Sequence, residues 1–218
     1  MNDELLVAAR SGHTAARRVL LLPPAYARPE HFLREGFADA VRVRALDLDL
    51  VPVDLRFRTV SDRSALTELA RLIAAARSAD CAEVWLTGIS LGAYIALLCA
   101  EREPHAVDGL CLFAPYLGSH IVTQEIERAG GVAAWQPGEL AADDEERRLW
   151  RFIQTHAHGA PPIHLGLGRE DRFGARHRLL AAALPAARVD VVPGGHEWPV
   201  WRRLWENFLD AHFANTRS

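Results

Sequence analysis

Residues 82–100 read AEVWLTGISLGAYIALLCA, and the fold turns on how that stretch divides. Residues 82–87 are short, apolar and bounded, which predicts a buried strand, and residues 91–100 are rich in Ala and Leu, which predicts a helix. Ser90 stands at the turn between them, inside Gly88, Ile89, Ser90, Leu91 and Gly92. A hydroxyl on such a strand-to-helix turn is lifted off the end of the sheet by a sharp, strained backbone, and only residues without a Cβ fit two positions to either side. Gly88 and Gly92 supply that room. The Leu91 amide begins the helix with no intrahelical partner, aimed where negative charge would develop if Ser90 attacked a carbonyl.

A serine so placed needs a second oxyanion donor and a base. Toward the N-terminus, residues 18–22 form an apolar run stopped by Pro23 and Pro24, which reads as a buried strand. Proline has no N–H, so the first amides after it that can donate belong to Ala25, the first choice for the second oxyanion donor, and Tyr26, the second choice. Residues 29–41 predict a helix opened by Pro29, residues 45–53 a strand, and residues 66–74 an amphipathic helix leading to the Ser90 strand. Asp47 and Asp49 on the strand are solvated or ion-paired.

Toward the C-terminus, residues 107–113 read as the next buried strand, followed by Ala114, Pro115 and Tyr116. Residues 117–161 change character, with Gly130, Gly131, Pro137 and Gly138 as breakers and a helix over residues 143–153 whose acids precede its arginines, the order that suits the helix dipole. This segment is expected to be an insertion that caps the site, so that residues 1–116 and 162–218 form the core. Trp135, Trp150 and Phe152 either line an apolar acyl pocket, with Tyr26 and Tyr116, or fix the cap to the body. His156 and His158 have no third ligand at a sensible spacing, and no metal is expected. Residues 162–168 form a strand that ends before Arg169, Glu170, Asp171 and Arg172; a helix through Leu179, Leu180 and Ala183 follows. Residues 189–192 form the last strand, before Gly194, Gly195 and His196, and a closing helix runs from Trp198 with Trp201, Leu204, Trp205, Phe208 and Leu209 on one face. Alternating strands and helices predict an α/β fold, a mostly parallel sheet of about six strands with helices on both faces and a ligand site at the carboxyl ends of the strands.

The chain of 218 residues carries a formal charge of −3, which leaves no basic footprint for nucleic acid, and no stretch approaches a membrane span. The apolar run near the N-terminus is too short for a secretory leader, so a cytoplasmic location is expected. Cys81, Cys99 and Cys111 lack disulfide or metal spacing and fit buried, reduced thiols. All 25 basic residues other than histidine are Arg. Without lysine there is no Schiff base, no P-loop and no Ser-x-x-Lys activation, so a serine nucleophile here depends on histidine.

His196 is the base this order of elements offers, because an imidazole of ordinary pKa, about 6.5, is matched to proton transfer near neutrality. A carboxylate on the other ring nitrogen would fix its tautomer; Asp171 is placed for that role, with Glu170 as its rival. Serine, acid and histidine follow in the chain order that this topology requires.

Residues 18–26, Gly88 to Gly92, Asp171 and His196 together resemble the α/β-hydrolase superfamily over nearly the whole chain. The run Gly194, Gly195, His196, Glu197, Trp198, with Trp201 and Arg202, looks like the histidine loop of the esterase-D and enterochelin-esterase branch. Pro23 and Pro24 depart from the His and Gly that many members carry after the first core strand, which bears on the identity of the second oxyanion donor. The resemblance implies a cofactor-free hydrolase of carboxylic esters or thioesters of small to medium acyl groups, working through an acyl-enzyme. A lyase, acyltransferase or perhydrolase on the same scaffold, or a non-catalytic binding module, are the alternatives.

Overall fold

The computed structural model describes residues 16–55, 64–79, 81–155 and 161–213. Strands β1 (Arg17–Leu22), β2 (Leu48–Pro52), β3 (Glu83–Ile89), β4 (Gly109–Phe113), β5 (Ile163–Gly168) and β6 (Arg188–Val192) form one sheet, all neighbours parallel, in the order β2-β1-β3-β4-β5-β6. The chain moves outward from β1 to β2, then returns past β1 to lay down β3 and the remaining strands. That reversal opens a crevice between the carboxyl ends of β1 and β3, where open α/β sheets bind their ligands.

Parallel strands are covered on both faces, so they read as nearly continuous apolar runs whose alternate residues enter two different cores. Leu20, Leu22, Val84, Leu86, Leu110 and Leu112 enter one core. It is shared with helices α3 (Ser64–Ser78), α4 (Leu91–Arg102) and α7 (Gly174–Ala183). Val19, Leu21, Trp85, Ile89, Cys111 and Phe113 enter the other, against α1 (Pro29–Arg34), α2 (Phe37–Val43) and α8 (Trp198–His212).

The single helix expected over residues 29–41 is two helices. Gly36 breaks it with a φ of +79°, in the left-handed region that glycine enters without a steric cost. The Arg202 guanidinium of α8 closes over that turn and donates to Glu35 O at 3.1 Å.

The segment expected to cap the site contributes α5 (His120–Arg128), a 3-10 turn at Val132–Ala134 and α6 (Glu145–Thr155). α6 packs on α4 and α7, and Val122, Ile126, Val132, Leu149, Trp150 and Ile153 enter the first core. The insertion therefore extends the helical layer beside α4. Trp135 and Trp150 are correspondingly buried, and their indole N–H groups donate to Glu125 Oε1 at 2.8 Å and Leu117 O at 3.2 Å. A tryptophan buried with its N–H satisfied is packing material, which of the two readings of Trp135 and Trp150 favours the one that fixes the insertion to the body. Cys99 and Cys111 are buried thiols; burial pushes Cys99 up to about 11 and Cys111 well above its ordinary value.

Candidate active site

Ser90 ends β3 and caps α4 with φ 51° and ψ −109°, a conformation rarely tolerated outside glycine and held here by its surroundings. Its N–H donates to Phe113 O at 2.9 Å, and its carbonyl accepts from Tyr116 N–H at 3.0 Å and Tyr94 N–H at 3.1 Å. A Cβ on Gly88 would lie 2.5 Å from the Ala93 backbone, and one on Gly92 would lie 2.7 Å from Pro23 O. The first glycine lets α4 start directly over β3. The second lets the loop after β1 close against the helix N-terminus, which brings Pro24, Ala25 and Tyr26 to the rim of the Ser90 cleft.

Two further strand ends carry the partners. Asp171 follows β5 and His196 follows β6, and the two loops are joined backbone to backbone: Arg169 N–H donates to Val192 O at 2.9 Å and Glu170 N–H to Gly194 O at 3.1 Å. Gly168 permits this approach, since a Cβ there would meet Gly194 O at 2.5 Å. Ser90 Oγ lies 3.0 Å from His196 Nε2, and His196 Nδ1 lies 2.8 Å from Asp171 Oδ2. The other carboxylate oxygen of Asp171 accepts from Phe173 N–H at 2.8 Å. Burial opposes ionisation of Asp171, but the hydrogen bonds from His196 and from Phe173 N–H outweigh it and hold the carboxyl below its ordinary value. Glu170, the rival acid, accepts instead from Gly194 N–H and so shapes the histidine loop.

The cleft above these groups has a volume of about 560 Å³, and Ser90, His196, Ala25, Tyr26, Arg172 and Trp198 are among its lining residues. Tyr26 stands 92 % exposed at its mouth, on a backbone of φ 63°. Trp201 meets the His196 ring edge to face at 5.1 Å and Trp198 at 5.2 Å, extending an aromatic wall from α8. Tyr116 reaches the nucleophile through its backbone, while its ring packs on Tyr94 at 5.4 Å. His156 and His158 lie outside the described residues.

Sequence reasoning missed Arg172, His31 and the α8 wall as cleft residues. Arg172 was legible as the neighbour of the acid. Trp198 and Trp201 were read only as a core stripe, because helical spacing does not say which end of the stripe overhangs the sheet.

No curated protein sequence matches the chain. Among solved structures it resembles S-formylglutathione hydrolase from Staphylococcus aureus, at 8 % identity and TM-score 0.66 over 89 % of this chain and 80 % of that one. It also resembles Est1E from Butyrivibrio proteoclasticus with ferulic acid bound, at 15 % identity and TM-score 0.62 over 94 % and 92 %. A third likeness, S-formylglutathione hydrolase from Agrobacterium tumefaciens, has 15 % identity and TM-score 0.60 over 94 % and 86 %. At such identities these likenesses establish the α/β-hydrolase fold. The sequence itself matches the family described as "Putative esterase" over residues 61–211, which takes in the Ser90 turn and both partner loops, and the chain is accordingly a serine-hydrolase member of that esterase family.

Proposed function

We propose that Ser90, His196 and Asp171 are the catalytic triad of this esterase and that it cleaves carboxylic esters or thioesters of small to medium acyl groups through an acyl-enzyme. The observation that carries the reading is the unbroken chain from Ser90 Oγ through both imidazole nitrogens to a buried carboxylate, at 3.0 and 2.8 Å. Ser90 Oγ attacks the acyl carbonyl as His196 Nε2 takes its proton, and the same nitrogen then delivers the proton to the leaving alcohol or thiol. Asp171 holds the tautomer with the proton on Nδ1 and stabilises the imidazolium. Water attacks the acyl-enzyme by the same route and releases the acid.

The Leu91 and Ala25 amides are the proposed oxyanion donors. Leu91 opens α4, and among the described residues the Ala25 amide donates to no backbone carbonyl. Losing one such donor costs on the order of 10² to 10³ in kcat. The chemistry needs no cofactor, and the three buried cysteines, Cys81, Cys99 and Cys111, fit a reducing, cytoplasmic compartment.

The test is initial rates on p-nitrophenyl esters from acetyl to decanoyl, for wild type and Ser90→Ala. Turnover by the wild type that the variant lacks supports the reading, and the preferred chain length sizes the acyl pocket. Equal rates for the two proteins overturn it.

A further inference from the structure

The site reading above leaves one charged cleft residue without a task. Arg172 follows the proposed catalytic acid and lines the cleft with Ser90. Several arginines that face neighbouring elements are ion-paired, as Arg18 with Asp49, Arg44 with Asp210 and Arg148 with Glu101. Arg172 forms no ion pair with any described residue; its guanidinium carbon is held 4.8 Å over the Phe173 ring. That ring meets the His196 imidazole edge to face at 5.2 Å. The positive charge therefore lies no farther from the imidazole than those two steps combined. The nearby carboxylates are engaged elsewhere: Asp171 with His196, Glu170 with Gly194 N–H, and Glu197 with Gly195 N–H at 3.5 Å.

The side of the cleft matters. His196 Nε2 has to hand its proton to the leaving oxygen, so the leaving group emerges beside the imidazole, and the acyl oxygen points toward the Leu91 and Ala25 amides. Among the cleft residues Trp201 meets that ring at 5.1 Å, Trp198 meets Trp201 at 5.2 Å, and Arg172 is linked to the ring through Phe173. We infer that Arg172 selects substrates whose leaving group carries an anion, a carboxylate on a flat, ring-sized alcohol, with the ring against Trp198 and the carboxylate on the guanidinium. A guanidinium oriented by an aromatic face presents its N–H fork with little rotamer freedom left to lose. This inference rests on the proposed triad and adds to it the class of leaving group.

The test compares para-acetoxybenzoate with para-acetoxybenzamide, which share acyl group, ring and size and differ in charge. Because the two leaving groups differ in intrinsic reactivity, the quantity read is the ratio of kcat/KM for the two esters in each protein. An exposed ion pair contributes little, so the benzoate-to-benzamide ratio is expected to fall about fivefold from wild type to Arg172→Gln, with Arg172→Lys in between. In the wild type, benzoate should inhibit phenyl acetate hydrolysis more strongly than benzamide, and added salt should narrow the gap. An unchanged ratio in Arg172→Gln, or equal inhibition by benzoate and benzamide, overturns the assignment while leaving the esterase reading intact. Failure of the esterase reading would look different: neither ester would be turned over faster by wild type than by Ser90→Ala.

Discussion

Two acidic residues stand side by side after β5, and their environments separate their roles. Asp171 faces His196 Nδ1 at 2.8 Å, whereas Glu170 turns back to the Gly194 N–H. Asp171→Asn keeps the shape but offers an N–H to Nδ1, which favours the tautomer with its proton on the nitrogen that should receive one from Ser90. Steady-state kinetics should show kcat lowered by about 10⁴. Glu170→Gln can still accept from Gly194 through its amide oxygen, losing only the charge on one hydrogen bond, and should keep kcat within about tenfold of wild type. A larger loss from Glu170→Gln than from Asp171→Asn would reverse the two assignments. The sequence left these neighbours as rivals, because chain position after a strand does not say which way a side chain turns. It did mark the residue types that chemistry demands at each strand end, and those are the ones brought within hydrogen-bonding distance.

Elements were legible where periodicity and breakers agreed. β1, β3, β4 and β5 each stand out as an apolar run with a definite end, whereas β2 and β6 alternate apolar residues with Asp49 and Asp190. α5 was missed because it buries only Val122, Thr123 and Ile126, too short a stripe to stand out between Gly118 and Gly130. In the segment read as a cap, the glycines and prolines mark turns, and the amphipathic α6 between them packs on α4. The closest backbone approach at a glycine sits at Gly92, where α4 starts against the backbone of Leu22 and Pro23. Gly92→Ala forces the helix N-terminus and the loop after β1 apart. Overpacking of this kind costs about 1–3 kcal/mol, and the same displacement moves the Leu91 and Ala25 amides away from each other. The expected result is a folded protein with lowered thermal stability whose kcat falls on the order of 10² or more. A variant with wild-type kcat would show that the two amides do not act together.

Across the whole molecule, the alternating strand and helix pattern foretold six parallel strands and a site at their carboxyl ends, while the register and the order β2-β1-β3-β4-β5-β6 depend on pairings that no local pattern encodes. The histidines show the same division, because burial is set by the assembled layers. His164 of β5 is 1 % exposed, with its Nδ1 3.2 Å from His212 Nε2 and its ring on Phe208 at 5.2 Å. Burial, reinforced by His212 and Arg188, pushes His164 down to about 3. His177, buried beneath the acid loop with Nε2 3.1 Å from Pro115 O, and His212 are lowered too, in each case first by burial. A histidine whose folded pKa is depressed stays neutral in the native state while the unfolded chain takes up a proton, so stability is full above the ordinary value near 6.5 and is lost as pH falls toward the folded value. Asp171, also depressed, works in the same direction at still lower pH. By about pH 4.5 His164 alone should remove on the order of 2 kcal/mol, which for a chain of this size lowers Tm by roughly 4–8 °C. Thermal melts at neutral pH and near pH 4.5 measure this directly, and His164→Leu, which replaces a titrating ring by an apolar side chain beside Phe208 and His212, should flatten the dependence. If that variant loses stability on acidification as steeply as wild type, the acid sensitivity resides in other groups, and the pair of rings between β5 and α8 is only packing.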